Sequence, residues 1–211
     1  MAGRVNSVRS KVCRLALFPG LILGLTAARE PGAADKLVEV QHFDSELLAR
    51  EIFRRTNEVR LEQGVAPLKV DSRLAAAAAG QAAMLALRFH SGHDNPLRNH
   101  GDPSARVAEA GLPPGTVAEN AATVAARNQV ASRGYTYPEQ AAVIVADWMR
   151  SPGHRANLLS PEFHYLGCAA RAAFSPGNCP TVYAIQVFYR PVPPSPPPNS
   201  ALQPGATRIK R

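Results

Sequence analysis

Three short stretches of the chain concentrate side chains able to do chemistry. The first is Asp147-Trp148-Met149-Arg150-Ser151-Pro152-Gly153-His154-Arg155-Ala156-Asn157-Leu158-Leu159. A helix ends here at Ser151-Pro152-Gly153 and His154 opens the next short element, where an imidazole is accessible enough to act as ligand or proton carrier. The second, His90-Ser91-Gly92-His93-Asp94-Asn95-Pro96, puts two imidazoles at a helix exit. The third, Val117-Ala118-Glu119-Asn120, sets one carboxylate in an otherwise apolar stretch. A buried glutamate needs a partner, so Glu119 is expected to have one. Two histidines and a carboxylate form a donor set for a zinc-like ion with an open position. Their separation in sequence does not by itself bring them together. The plainer alternative is that Asn120, Arg155 and Asn157 simply satisfy backbone groups around a loop-rich cleft.

The elements that must position these residues are legible in part. Asp44 or Ser45 caps a helix with Leu47, Leu48, Ile52, Phe53, Val59 and Leu61 at helical spacing, stopping at Gly64. Asp71 or Ser72 caps a second, alanine-rich helix running to about Phe89, its small side chains suited to close packing. His90 to Asn120 reads as loop, with a short helix over 104–110, and 126–136 reads as another loop. Pro138 suits the first turn of a helix whose inner face carries Ala141, Val145 and Trp148. Two strands follow, Tyr165 to Ala173 and Thr181 to Tyr189, the second apolar on both faces.

Composition bounds the rest. The chain's 211 residues, 45% apolar, suit one domain with appendages. The net charge is +8, but eight of the 24 Lys and Arg lie at the ends (Arg4, Arg9, Lys11, Arg14, Arg29; Arg208, Lys210, Arg211). The other 16 share residues 30–199 with all 16 acids, so the globular part is formally neutral and lacks the basic footprint of a nucleic-acid binder. Four basic residues before an apolar run from Leu15 to Ala28 read as a secretory signal peptide over residues 1–28. The run falls short of the roughly 20 residues of a bilayer span, so no permanent membrane anchor is expected once it is cleaved. Cys13 precedes the apolar run, which does not support lipoprotein export. Residues 29–43 are an extended segment, 44–190 the domain, and 191–211 a Pro-rich, basic, solvated tail. The mature chain keeps Cys168 and Cys179. In an oxidising compartment that pair is most simply a disulfide closing the hairpin, worth about 3 kcal/mol, with two free thiols as the alternative.

Taken together the motifs resemble the CAP superfamily (cysteine-rich secretory proteins, antigen 5, pathogenesis-related proteins). Asn57 with Arg60, Gly64, Pro67-Leu68 and Leu74 resembles the opening of such domains. A histidine segment follows, then Glu119-Asn120 in place of the family's Gly-Glu-Asn. Trp148 to Leu159 is very similar to bacterial, extracellular SCP-like members, and Gly167-Cys168 with Tyr183 to Phe188 resembles the closing strands. The resemblance spans about residues 46–189, in family order.

It implies an α+β fold, an α-β-α sandwich with a central antiparallel sheet between helical layers and a cleft across one side. The family's cleft is often lined by two histidines and two acids that hold a divalent metal. By position Glu119 matches the first acid and His154 the second histidine. The first histidine is His93 by the bacterial His-Asp-x-Pro context or His90 by the plant His-Ser-Gly form, with His93 favoured. Ser151 stands where the second acid is expected, leaving at best His93, Glu119 and His154 for zinc. Two functions follow from the resemblance. One is a secreted or periplasmic, non-enzymatic binding module for a small apolar, peptide or cell-envelope ligand, with or without the help of a divalent metal; the other is a metal-dependent, peptidase-like hydrolase. A scaffold without cleft activity is the third possibility. Ser151 and His154 do not form a recognisable triad.

Overall fold

The computed structural model describes Gly32 and residues 36–96, 101–128 and 133–192. The expected signal peptide, and the tail from residue 193 on, lie outside the described residues.

Local signals start and stop the helices. In α1 (Ser45–Glu62) Asp44 caps the first turn, its carboxylate accepting from Leu47 N at 3.0 Å, and Gly64, at φ +71°, turns the chain away. Asp71 likewise caps α2 (Ser72–Arg88), which ends where Phe89 adopts a left-handed backbone, φ +50°. α3 covers Pro103–Glu109 and is capped by Asp102. α4 (Tyr137–Arg150) opens with a reciprocal capping box between Thr136 and Glu139, with a proline in its first turn. α5 (Pro152–Leu159) starts at the residue that ends α4: Ser151 is both caps. The backbone N–H of Ser151 closes on the carbonyls of Asp147 and Trp148, and Pro152 restarts the helix in a new direction.

The strands are β1 (Lys69–Val70), β2 (Gly115–Ala125), β3 (Arg127–Asn128), β4 (Arg133–Gly134), β5 (Tyr165–Ser175) and β6 (Cys179–Pro191). The main sheet has the order β1-β5-β6-β2. It is antiparallel except for the two-residue edge strand β1, parallel to β5, while β3 and β4 pair only with each other. Two expectations need correction. Gly115 to Asn120, read as loop, is the first half of β2, and residues 126–136 contain the small β3–β4 ladder.

β6 is the spine. Its residues alternate between two apolar clusters, as the two-residue period of a strand requires. Val182, Ala184 and Phe188 join Leu48, Ile52, Tyr137, Ile144 and Trp148 of the α1/α4 layer. Tyr183, Ile185, Val187 and Tyr189 join Leu74, Ala78, Leu85 and Val107 of the α2/α3 layer. Each fully buried Leu, Ile or Phe contributes roughly 1.5–3 kcal/mol. The sandwich is therefore α-β-α, and β2 is one edge of its sheet.

The alanines of α2 permit the close packing expected of them. Gly167 of β5 lies so near the first turn of α2 that an added Cβ would sit 2.2 Å from the Leu74–Ala75 backbone. Here glycine is demanded by proximity rather than by its φ.

The disulfide expectation is overturned. Both cysteines are free, Cys168 buried and Cys179 exposed. In the β5–β6 ladder Cys168 faces Gln186, whereas Cys179 faces Ser175 at the far end of β5. That places the two roughly 24 Å apart at ~3.4 Å per residue, whereas a bridge needs Cα atoms within about 7 Å. Burial pushes the Cys168 thiol pKa well up, which keeps it unreactive.

Candidate functional site

The site is built on the edge strand β2, and strand geometry explains how. Neighbouring residues of a strand point to opposite faces. Glu119 lies in register with Val187, and Asn120 with Gln186. Glu119 accordingly turns to the α2/α3 layer and Asn120 to the α1/α4 layer. One dipeptide thus reaches both halves of the sandwich.

On the first face the Glu119 carboxylate is nearly completely buried. Its Oε2 accepts from Arg106 Nη2 of α3 at 2.5 Å, and its Oε1 lies 3.0 Å from His93 Nδ1. The Arg106 side chain is buried as deeply, at 2% exposure, whereas that of His93 is 47% exposed. The backbone at His93 is fixed from behind. Buried Gln81 of α2 donates to the His93 carbonyl at 3.2 Å and accepts from Asn95 at 3.0 Å.

On the second face Asn120 Nδ2 donates to the His154 carbonyl at 3.1 Å and to Gln186 Oε1 at 3.3 Å. Asn157 Nδ2 donates to Asn120 Oδ1 at 3.0 Å and lies 3.4 Å from the Glu119 carbonyl. Gln186 Nε2 in turn donates to Thr56 Oγ1 at 2.6 Å, and that hydroxyl donates to the Ile52 carbonyl at 2.7 Å. This buried polar chain runs from α1 through the sheet to α5 and fixes where His154 stands. The imidazoles of His93 and His154 meet at 6.2 Å between ring centroids.

The two histidines titrate apart. The hydrogen bond to Glu119 raises the His93 pKa above its ordinary value, against the opposing effect of burial. Burial first, and then the neighbouring charge of His93, lowers that of His154. The pair therefore sets an imidazole whose charged form is favoured beside one whose neutral form is favoured.

Of the residues singled out in the sequence, His93, Glu119, Asn120 and His154 come together. His90 does not: it is exposed and lines a depression of about 450 Å³ with Met84, Arg88, Asp94, Asn95 and Pro96, which none of those four lines. Ser151 joins α4 to α5 and makes no side-chain cap bond; its contribution is to put His154 in the first turn of α5. The residues that sequence reasoning missed are Arg106, Gln186 and Thr56. The only signal pointing to Arg106 was the requirement that a buried glutamate have a partner.

A three-ligand metal site does not suit this arrangement. Both oxygens of Glu119 are committed, one to a buried guanidinium and one to His93 itself. Two imidazoles remain, short of the three protein ligands that a catalytic zinc keeps. Among the described residues no group of three or more His, Cys, Asp or Glu stands in metal-holding geometry.

The fold is thus a small three-layer sandwich with its polar cluster gathered on an edge strand, between a loop after the second helix and the first turn of the last. The chain belongs to the CAP family, whose model, described as Cysteine-rich secretory protein family, matches residues 53–188. It is 29% identical over 144 residues to the uncharacterized protein YkwD of Bacillus subtilis, across 67% of this chain and 50% of that protein. The chain thus spans about half the length of that relative. Its fold is similar to that of an extracellular protein containing an SCP domain from Bacillus anthracis. The TM-score is 0.52 at 23% identity, covering 70% of this chain and 41% of that one. An outer surface protein from Borrelia burgdorferi matches with TM-score 0.51 at 14% identity, covering 70% of this chain and 96% of that one. At these identities the likeness concerns the fold. No helix among the described residues is long and apolar enough to cross a membrane.

Proposed function

We propose that this chain is an exported, non-enzymatic binding module whose ligand seats against His93 and His154, without a resident metal. Export is supported by the basic-then-apolar leader, and by the extracellular and outer-surface descriptions of the two structural neighbours. The observation that carries the reading is the commitment of Glu119 to Arg106 and His93. A carboxylate paired with a guanidinium on one oxygen and hydrogen-bonded to an imidazole on the other has both oxygens engaged before any metal arrives. It is well suited to orienting an imidazole, and His93 is left half-exposed.

A half-exposed imidazole oriented by a buried carboxylate, with a second imidazole beside it, favours a ligand that ends in a carboxylate or carbonyl acceptor. A peptide, or a peptide-bearing envelope component, supplies that chemistry. The test is retention of a carboxylate-ended peptide library on the immobilised protein, with the eluate examined for cleavage. Saturable retention of intact peptides, lost in His93→Ala and His154→Ala, is the expected result. Cleavage that His154→Ala abolishes would establish a hydrolase instead. Retention of nothing would leave a scaffold.

A further inference from the structure

We propose that Arg106 is the resident cation of the cleft: its guanidinium occupies the carboxylate that would otherwise complete a divalent-metal site with His93 and His154, and through Glu119 it holds His93 in place. This deepens the metal-free part of the reading above and rests on it.

Geometry carries the argument. Arg106 and Glu119 are both almost wholly buried and 2.5 Å apart. The ion pair is therefore enclosed in the α2/α3 layer, where water screens it little. A guanidinium offers rigid, permanently charged donors at any physiological pH. A zinc ion bound to Glu119 would have to approach an oxygen to about 2.0–2.2 Å, and it would do so beside a buried positive charge. It would also have to displace Arg106 from Oε2 or His93 from Oε1. Displacing Arg106 parts a buried guanidinium from the carboxylate it pairs with; displacing His93 from Oε1 breaks the hydrogen bond that orients its ring. Each route costs an interaction that the buried carboxylate now makes. The sheet supplies the other half of the argument. Arg106 lies on the short helix packed on β2, and Glu119 on the face of β2 turned to it. The counter-ion is built into the fold rather than recruited from solution.

Replacing Arg106 by a neutral residue of similar reach should then convert the cleft into a metal site. Arg106→Gln frees Oε2 and leaves a net negative charge beside two imidazoles. The experiment is calorimetric titration of zinc alone into the full chain, stripped of metal. The proteins compared are the wild type, Arg106→Gln, Arg106→Lys, and Arg106→Gln combined with either Glu119→Gln or His154→Ala. The expected result is that Arg106→Gln binds zinc roughly a hundredfold or more tighter than the wild type. Both double variants lose the gain. If Arg106→Gln is unfolded without metal, the same binding appears as zinc-dependent refolding, since a ligand that binds only the folded state stabilises it. Arg106→Lys keeps the charge and should stay as indifferent to zinc as the wild type; a role confined to packing would not distinguish Lys from Gln in this way. Zinc binding by the wild type that His154→Ala removes would overturn the proposal. So would a lysine variant that binds as tightly as the glutamine one, or a glutamine variant with no gain. The peptide-retention assay reports on the ligand whichever way zinc behaves, so the ligand reading and the Arg106 proposal fail separately; zinc binding by the wild type would sink the metal-free part of the first along with the second.

Discussion

Removing the Asn120 side chain tests whether the polar chain through the sheet is what places His154. In Asn120→Ala the His154 carbonyl and Gln186 Oε1 lose a donor and Asn157 loses an acceptor. Asn120 and Gln186 are both fully buried, so water does not freely replace what is lost. Three hydrogen bonds at a net of about 1 kcal/mol each give a loss of roughly 3 kcal/mol, with the orphaned buried groups able to add to it. For a domain of this size that corresponds to a fall in Tm of roughly 6–12 °C. Urea and thermal unfolding measure the loss. A double-mutant cycle with Asn157→Ala should return a coupling of about 0.5–3 kcal/mol, because the two side chains bond directly. The functional readout is the His154 resonance: with its carbonyl untied, α5 should loosen and His154 should titrate closer to an ordinary histidine. A stability change below about 1 kcal/mol would refute the reasoning. So would a large loss that leaves the His154 titration where it was.

Other consequences are more direct. Histidine NMR titrations should place His93 above and His154 below the ordinary value, and Glu119→Gln should bring His93 down. The sign follows: a raised folded pKa means the His93–Glu119 contribution is fully present below the unfolded histidine pKa and is lost as pH rises through the folded one. His154 acts oppositely, its burial favouring folding only where it is neutral. Urea unfolding of His93→Gln across that window should therefore differ most from the wild type on the acidic side. A thiol reagent should label Cys179 in the native protein and Cys168 only on unfolding, and reductant should leave Tm unchanged; a native intramolecular disulfide found by mass spectrometry would contradict the ladder register. Gly167→Ala should destabilise by at least the roughly 1–3 kcal/mol typical of overpacking, since its Cβ meets backbone rather than a movable side chain. Equilibrium denaturation checks this, and a neutral result would mean that α2 shifts freely.

What the chain announces locally, it announces well. Asp44, Asp71 and Pro138 mark helix starts by side-chain chemistry confined to one turn, and β6 is rich in β-branched and aromatic residues that pack on a sheet. β2 is illegible because alanine, glutamate and asparagine are poor strand formers set among Gly and Pro. Its conformation is decided by pairing with β6, a partner distant in sequence. The cysteines mislead for a related reason. Counting them says that two sulfurs remain, but only the register says that Cys168 faces Gln186 rather than Cys179.

The site shows the same division, and the edge strand accounts for it. Glu119 and Asn120 stand out as polar residues beside apolar ones, and burial of a carboxylate demands a counter-charge. Which cation answers the demand depends on α3 folding back over β2, a tertiary fact. An interior strand carrying Glu119-Asn120 would be flanked on both sides by other strands, leaving no room for the loop at His93 and the first turn of α5 to meet around it. An edge strand lets one residue reach each layer while the imidazoles converge beyond the sheet, 6.2 Å apart. The Glu119–Arg106 pair is buried on the α2/α3 side of that edge strand, so the carboxylate that orients His93 is held from the layer behind it.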